Sequence, residues 1–215
     1  MPVELPLFPL STVLYPGAAI PLHVFEERYR QMFAAIMGGE RRFGVVAITS
    51  GRDVDPEPRF QSVGCVAEVG EVRPYPDGRM DVVARGGARF KVDRVVRTSP
   101  YIVAEVRTID EQAGEQAGTR AAVAVGLFER YLAALHALAG EPADEREPPG
   151  DPVAVSYLVA AGLRIDLPDK QRLLAVPSAA ERLLAEIRLL RRELALFERL
   201  EVTGPAPMAG PFSLN

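Results

Sequence analysis

The sequence predicts an α+β fold: an antiparallel, barrel-like β-sheet followed by an all-helical C-terminal half. Three observations carry this. Val-rich runs at 63–75, 79–84, 89–96 and 101–109 follow one another with no helix between them, the pattern of an antiparallel sheet and not of βαβ units. After Ile109 the apolar spacing changes from two to three-and-four. Ser178-Ala179-Ala180-Glu181 is a capping box, and behind it Leu183, Ile187, Leu190, Leu194 and Phe197 recur at helical spacing. The expected division is a β-rich unit over 1–112, a helical unit over 113–202 and a flexible tail over 203–215.

The elements follow in order. Leu5 to Leu10 alternates with prolines, which suits an edge strand or a strand entry rather than a central strand. Tyr15-Pro16-Gly17 signals a turn. After the short apolar run 19–24, Tyr29, Met32 or Phe33, and Ile36 mark a helix over 26–37 that Gly38-Gly39 ends. A strand is expected over 43–49 and a polar loop over 51–61. Pro76-Asp77-Gly78 joins two strands as a hairpin, with Pro presetting φ and Gly accepting a positive φ. A long helix over 119–139 shows Ala124, Phe128, Leu132 or Tyr131, Leu135 and Leu138 at helical spacing. The charged, proline-containing 141–150 reads as a loop. Asp151-Pro152 starts a short helix, Leu167-Pro168 another, and the capping box a last helix to about Val202.

Composition excludes several functions. The net charge is −4. Residues 1–112 carry 14 basic against 15 acidic side chains and the remainder 11 against 14, so neither part attracts a phosphate backbone strongly. One cysteine forbids an internal disulfide. The N-terminus lacks the basic start and apolar run of a signal peptide, and the most apolar stretch, 153–163, is too short to span a bilayer. A cytoplasmic protein with no membrane partner is expected.

Catalytic motifs are missing. Lys91 follows Phe90 and Lys170 follows Asp169, so neither completes a Gly-Lys-Ser/Thr phosphate loop. His23 and His136 are too few for most histidine metal sites. Neither lysine suits a Ser-Lys dyad. Cys65 reads as a small buried hydrophobe rather than a nucleophile, and His23 as a hydrogen-bonded residue just before a helix. Arg85, Arg89, Lys91, Arg94 and Arg97 form a basic run interrupted by Asp93, a solvated strand face more than a nucleic-acid patch. The leucine stripe of the last helix is expected to pack on its own domain. No catalytic, cofactor or metal site is expected, and the chain should neither hydrolyse ATP nor cleave casein.

Several segments resemble a known family, the LON substrate-binding domains that form the N-terminal part of Lon proteases. Leu5-Pro6-Leu7-Phe8-Pro9-Leu10, Val13-Leu14-Tyr15-Pro16-Gly17 and Pro21-Leu22-His23-Val24-Phe25-Glu26-Glu27-Arg28-Tyr29 resemble its opening. Gly64 to Val69, Pro76-Asp77-Gly78-Arg79, Gly86 through Arg89-Phe90, Asp169-Lys170-Gln171-Arg172-Leu173-Leu174 and Arg182-Leu183 resemble later motifs in the family's order. Ala175 departs from a position where the family often has Glu. The resemblance implies a PUA-like barrel followed by a helical bundle. It further implies a non-catalytic module that recognises unfolded or extended polypeptides, without ATPase or protease parts, and leaves open whether a separate protease is a partner. It leaves a homo-oligomer open. Phe8, Pro9, Tyr15, Pro16, Tyr75 and Pro76, prolines beside aromatics, are the candidate peptide-binding residues, with ordinary interior packing as the alternative for each. In the motif 25–29, Phe25 and Tyr29 are expected to anchor the helix. An RNA-binding module of PUA-like type is the alternative function, and an enzyme a third.

Overall fold

A computed structural model describes residues 2–50, 59–139 and 147–202. Seven strands and five helices occur among them in the order β1 (Val3–Leu10), β2 (Ala19–Val24), α1 (Glu27–Met37), β3 (Arg42–Ser50), β4 (Arg59–Phe60), β5 (Val63–Pro74), β6 (Met80–Arg97), β7 (Val103–Thr108), α2 (Ala117–Ala139), α3 (Pro152–Gly162), α4 (Leu167–Ala175) and α5 (Ala179–Val202). The class is α+β. Most of the expected loop over 51–61, most of that over 141–150 and the tail over 203–215 lie outside the described residues; Arg59–Phe60 of the first is a short strand instead of loop.

The sheet differs from a regular antiparallel barrel. Its path runs β1–β7–β6–β5–β3–β4, with β2 laid against β6. β1 also pairs with β3, and that pairing is parallel: Leu7 stands opposite Gly44 and Leu10 opposite Ala47. The sheet is therefore mixed, and its pairing returns on itself through β1. Nor is β1 a plain edge strand. Val3 to Pro6 pairs with β7 and Leu7 to Leu10 with β3. Each half is paired on one side, so the missing N–H of Pro6 or Pro9 can face the unpaired side.

The strands expected over 79–84 and 89–96 are one strand. β6 pairs with β5 from Met80 to Lys91 and changes its other partner midway, from β2 at Arg85 to β7 at Phe90. Gly86 is where this happens. It donates to the Ala18 carbonyl and accepts from Gly17 N–H, each at 2.8 Å. A Cβ there would stand 2.0 Å from the Tyr15 carbonyl oxygen, so only glycine lets the turn approach. The Pro76-Asp77-Gly78 hairpin forms as expected: Gly78 has φ +82, its N–H reaches the Tyr75 carbonyl at 3.0 Å, and Tyr75 N–H reaches that of Arg79 at 2.8 Å.

Two apolar clusters sit within the sheet. One joins Phe8, Leu14, Phe43 and Val45 to Tyr29, Met32, Phe33 and Ile36 of α1, whose buried face is the one the spacing predicts. The other holds Leu5, Leu7, Val46, Phe90 and Ile102. A third cluster fills the helical layer and takes in Tyr15 from the β1–β2 turn. Each large side chain moved from water into such a cluster contributes about 1.5–3 kcal/mol.

The helices begin where their caps predict. Asp151 accepts from Val153 and Ala154 N–H, Asp166 from Asp169 N–H, and Ser178 from Glu181 N–H. The α5 stripe is buried at Leu183, Ile187, Leu190 and Leu194. α2 lies alongside α5 in the same direction, since Arg120 donates to the Ala180 carbonyl and Tyr131 packs on Phe197 with centroids 5.7 Å apart. On α2 it is Tyr131, the alternative to Leu132, that is fully buried, while Leu138, expected to lie inward, is 64% exposed. α2, and not 153–163, is the one described helix long and apolar enough to cross a membrane by length and composition. Here Ala121, Ala124, Phe128 and Tyr131 of α2 face the helical core.

Candidate peptide-recognition face

β2, the first half of β6 and β5 present an outer face away from the sheet interior. Cross-strand register sets Ala19 beside Arg85 and Glu68, Pro21 beside Val83, and His23 beside Asp81 and Arg73. Ala19, Pro21, His23, Val83, Arg85 and Arg73 are exposed, as alternation along a one-sided sheet requires. A shallow depression of about 450 Å³, lined by Glu71, Val72, Arg73, Asp81 and Val83, lies on this face.

An aromatic cluster closes one end. The His23 ring stacks on Phe25 at 6.0 Å and meets Tyr75 edge-on at 6.1 Å. The Asp81 carboxylate ties them together, one oxygen 2.6 Å from His23 Nδ1 and the other accepting from the Tyr75 hydroxyl at 2.5 Å. His23, and then Tyr75, holds the Asp81 carboxyl below the usual carboxylate range, and the same hydrogen bond to Asp81 pushes the Tyr75 phenol up. The guanidinium groups of Arg73 and Arg79 lie 5.9 and 5.8 Å from the Tyr75 ring centre. Phe25 is 53% exposed. It does not anchor α1 as expected; Tyr29 does, stacked on Phe8 at 3.9 Å. Aromatic rings held rigid at a surface are ready-made contact area, since little freedom is left to lose on binding.

The six proline-flanked candidates fall into three places. Tyr75, half-buried, belongs to the aromatic cluster, and Pro76, exposed, follows it in the hairpin. Phe8, Pro9 and Tyr15 are buried, contrary to a surface placement: Phe8 under Tyr29, and Tyr15 under the helices, with its hydroxyl donating to the Lys170 carbonyl at 2.8 Å. Burial pushes the Tyr15 phenol up. Pro16 is half-buried and lines a groove of about 270 Å³ between the sheet and α3, with Gly17, Gly87, Ala88, Glu111, Val153 and Tyr157. The sequence does not bring out Phe25, which stands in a motif that reads as helix anchorage; His23 reads as a hydrogen-bonded residue, which its contact with Asp81 bears out, but not as part of a binding face. Their one signal is the period-two alternation of β2, which turns His23 outward.

The basic run is not one solvated face. Arg89 is fully buried in the seam between sheet and helices. It pairs with Glu111 and donates to the carbonyls of Leu174 and Val176, both at 2.7 Å. Arg182, also fully buried, donates to Ser156 Oγ and the Leu173 carbonyl and lies 4.0 Å from the Tyr157 ring centre. Of the exposed members, Arg94 pairs with Glu105, and the neighbouring Arg107 with Asp93. Arg85, Lys91 and Arg97 are in no ion pair among the described residues, so three separate cations, and no continuous positive stripe, face solvent there. Cys65 is buried, and burial pushes its thiol up to about 12, away from the thiolate a nucleophile needs. Among the described residues no three His, Cys, Asp or Glu side chains gather as metal ligands.

Comparison with known proteins gives a consistent result. A family model described as the ATP-dependent protease La (LON) substrate-binding domain matches residues 4–192. The chain is 31% identical over 201 residues to a Lon protease of Phenylobacterium zucineum, covering 90% of this chain and 24% of that protein. It is 27% identical over 204 residues to one of Flavobacterium johnsoniae, covering 92% and 25%. The chain thus spans about a quarter of the length of the curated relatives it matches. A crystal structure of a Lon N-terminal domain protein from Xanthomonas campestris superimposes with a TM-score of 0.61 at 28% identity, over 88% of this chain and 98% of that one. The N-terminal domain of a Mycobacterium avium complex Lon protease, at 20% identity with a TM-score of 0.67 and the same coverage, shares the fold.

Proposed function

Because the chain belongs to the LON substrate-binding domain family, we propose that it is a non-catalytic, cytoplasmic module that holds unfolded or extended segments of other polypeptides. In this reading the strands form a distorted PUA-like barrel and the helices a bundle that braces it. One observation carries the proposal: the surface cluster of Phe25, His23 and half-buried Tyr75, in which Asp81 ties His23 to Tyr75 and His23 stacks on Phe25, on an otherwise open sheet face. Of the six proline-flanked candidates, Tyr75 and Pro76 are the direct contacts, and Pro16 lines an apolar groove at the other end of β2. Phe8, Pro9 and Tyr15, being interior, make no direct contact with a client in this reading.

Binding should be weak, on the order of micromolar, because a surface that accepts many clients cannot be optimised for one. It should also tolerate salt, since apolar contacts and backbone hydrogen bonds are not screened as ion pairs are. Fluorescence anisotropy with a labelled, permanently unfolded polypeptide and with an RNA oligonucleotide, each at low and moderate salt, tests this. The expected result is saturable binding to the polypeptide that Phe25→Ala or Tyr75→Ala weakens with no fall in melting temperature. Salt-sensitive binding to RNA with none to the polypeptide would overturn it.

A further inference from the structure

We propose that the outer edge of β2 is a strand-addition site, along which an extended client segment lies as one more strand of the sheet. This rests on the polypeptide-recognition reading and adds how the client backbone is held.

Among the described strands β2 pairs with β6 alone. In an antiparallel pair, alternate residues exchange hydrogen bonds with the partner while those between turn their backbone groups the other way. The register sets residue 18 opposite residue 86, and Gly86 N–H donates to the Ala18 carbonyl at 2.8 Å. Ile20, Leu22 and Val24 are therefore bonded inward, and Ala19, Pro21 and His23 turn their backbone groups outward. Pro21 fits this assignment independently: its missing N–H would break the ladder on the inner side and costs nothing on the outer. The edge thus offers the carbonyls of Ala19, Pro21 and His23 and the N–H groups of Ala19 and His23. All three residues are exposed, and apart from Pro21 the edge carries none of the usual shields against pairing.

The ends of the edge define the occupant. β2 has six residues, so it is about 20 Å long and holds an extended segment of similar length. At the Val24 end lie the rings of Phe25, His23 and Tyr75. At the Ala19 end stands Arg85, directly across from Ala19 and in no ion pair among the described residues. Ala19 is small, so the Arg85 guanidinium can extend over it to a side chain on an added strand two positions away, about 10 Å across the sheet. The partner that fits is an extended polypeptide with free N–H groups at alternate residues, an aromatic or aliphatic residue towards Phe25 and an acidic residue towards Arg85.

The test uses the full chain and a labelled ten-residue peptide of alternating Val and Thr with Phe near one end and Glu near the other. Two further versions are N-methylated at every second residue, in one frame or the other. Methylation in one frame should lower affinity at least tenfold and in the other far less, because only one set of N–H groups faces β2. Pro21→Ala restores the missing donor and should tighten binding about 2- to 10-fold, the worth of one net hydrogen bond. Arg85→Glu should weaken the Glu peptide and favour one with Lys in its place. If both methylated peptides bind as well as the parent, strand addition is wrong while polypeptide recognition stands. If the parent peptide and an unfolded polypeptide both fail to bind, the functional reading falls and the inference with it.

Discussion

Arg89 and Glu111, 22 positions apart, share a two-point ion pair at 2.7 and 3.1 Å in the seam between the sheet and the helices. Glu111 also accepts from the Tyr157 hydroxyl at 2.7 Å, so β6, the approach to α2, and α3 meet on one carboxylate. Burial, and less so the bond to Glu111, pushes the Tyr157 phenol up. Arg89→Met keeps an unbranched apolar stem but removes the guanidinium, leaving Glu111 with only Tyr157 and the more distant Arg182 and taking one donor from each of the Leu174 and Val176 carbonyls. It should lower unfolding free energy by about 3 kcal/mol, the lower part of the range for breaking a buried pair, because Glu111 is partly open to water. Urea denaturation measures it. A loss under about 1 kcal/mol would mean that apolar packing alone holds the seam.

Gly86→Ala should destabilise although it adds only one methyl group. The new Cβ would stand 2.0 Å from the Tyr15 carbonyl oxygen and 2.8 Å from its carbon, both backbone atoms that cannot swing aside. Relieving the clash means lifting the β1–β2 turn from β6, at a cost of about 1–3 kcal/mol. Gly118→Ala, where no atom lies within 4 Å, is the matched control and should be neutral or slightly stabilising. Equal melting temperatures for the two variants would contradict the close approach.

Glu186→Gln should stabilise the protein, and more so as pH rises. The Glu186 carboxyl is fully buried and neither oxygen has a hydrogen-bond partner among the described residues. Burial therefore raises its pKa well above the ordinary value, and Arg182 only partly opposes this. From the ordinary carboxyl range upward, the unfolded chain has lost this proton while the folded protein keeps it. Stability then falls with rising pH until the folded carboxyl ionises. Thermal melts should show a gain for Glu186→Gln at pH 8 that shrinks towards pH 4. A gain independent of pH would assign the effect to packing instead of ionisation.

Leu190→Asp should lower stability by roughly 3 kcal/mol or more, because it places an unpaired charge in the middle of the α5 seam, where Leu190 is fully buried. Chemical denaturation alongside sedimentation separates two outcomes. A large loss of stability confirms a core seam. Unchanged stability with a change in association state would make it an interface.

The sequence by itself determined what depends on neighbours along the chain. The caps Asp151 and Ser178, the Leu167-Pro168 helix start, the Pro76-Asp77-Gly78 hairpin, the inward face Tyr29–Met32–Phe33–Ile36 and the α5 stripe all follow from local geometry and periodicity, and all are present. The family was legible too, because the order of its motifs is a property of the chain. Tertiary structure decided whatever needed a partner remote in sequence. Arg89 reads as one more exposed cation until Glu111 and the carbonyls of Leu174 and Val176 surround it. Tyr15 reads as a surface aromatic until α4 covers it, and β1 as an edge strand until β3 and β7 take its two halves. Phe25 reads as an anchor, yet the turn of the chain between β2 and α1 leaves it in solvent beside His23 and Tyr75. A side chain's burial depends on which other segments reach it, and composition and spacing carry no record of that reach.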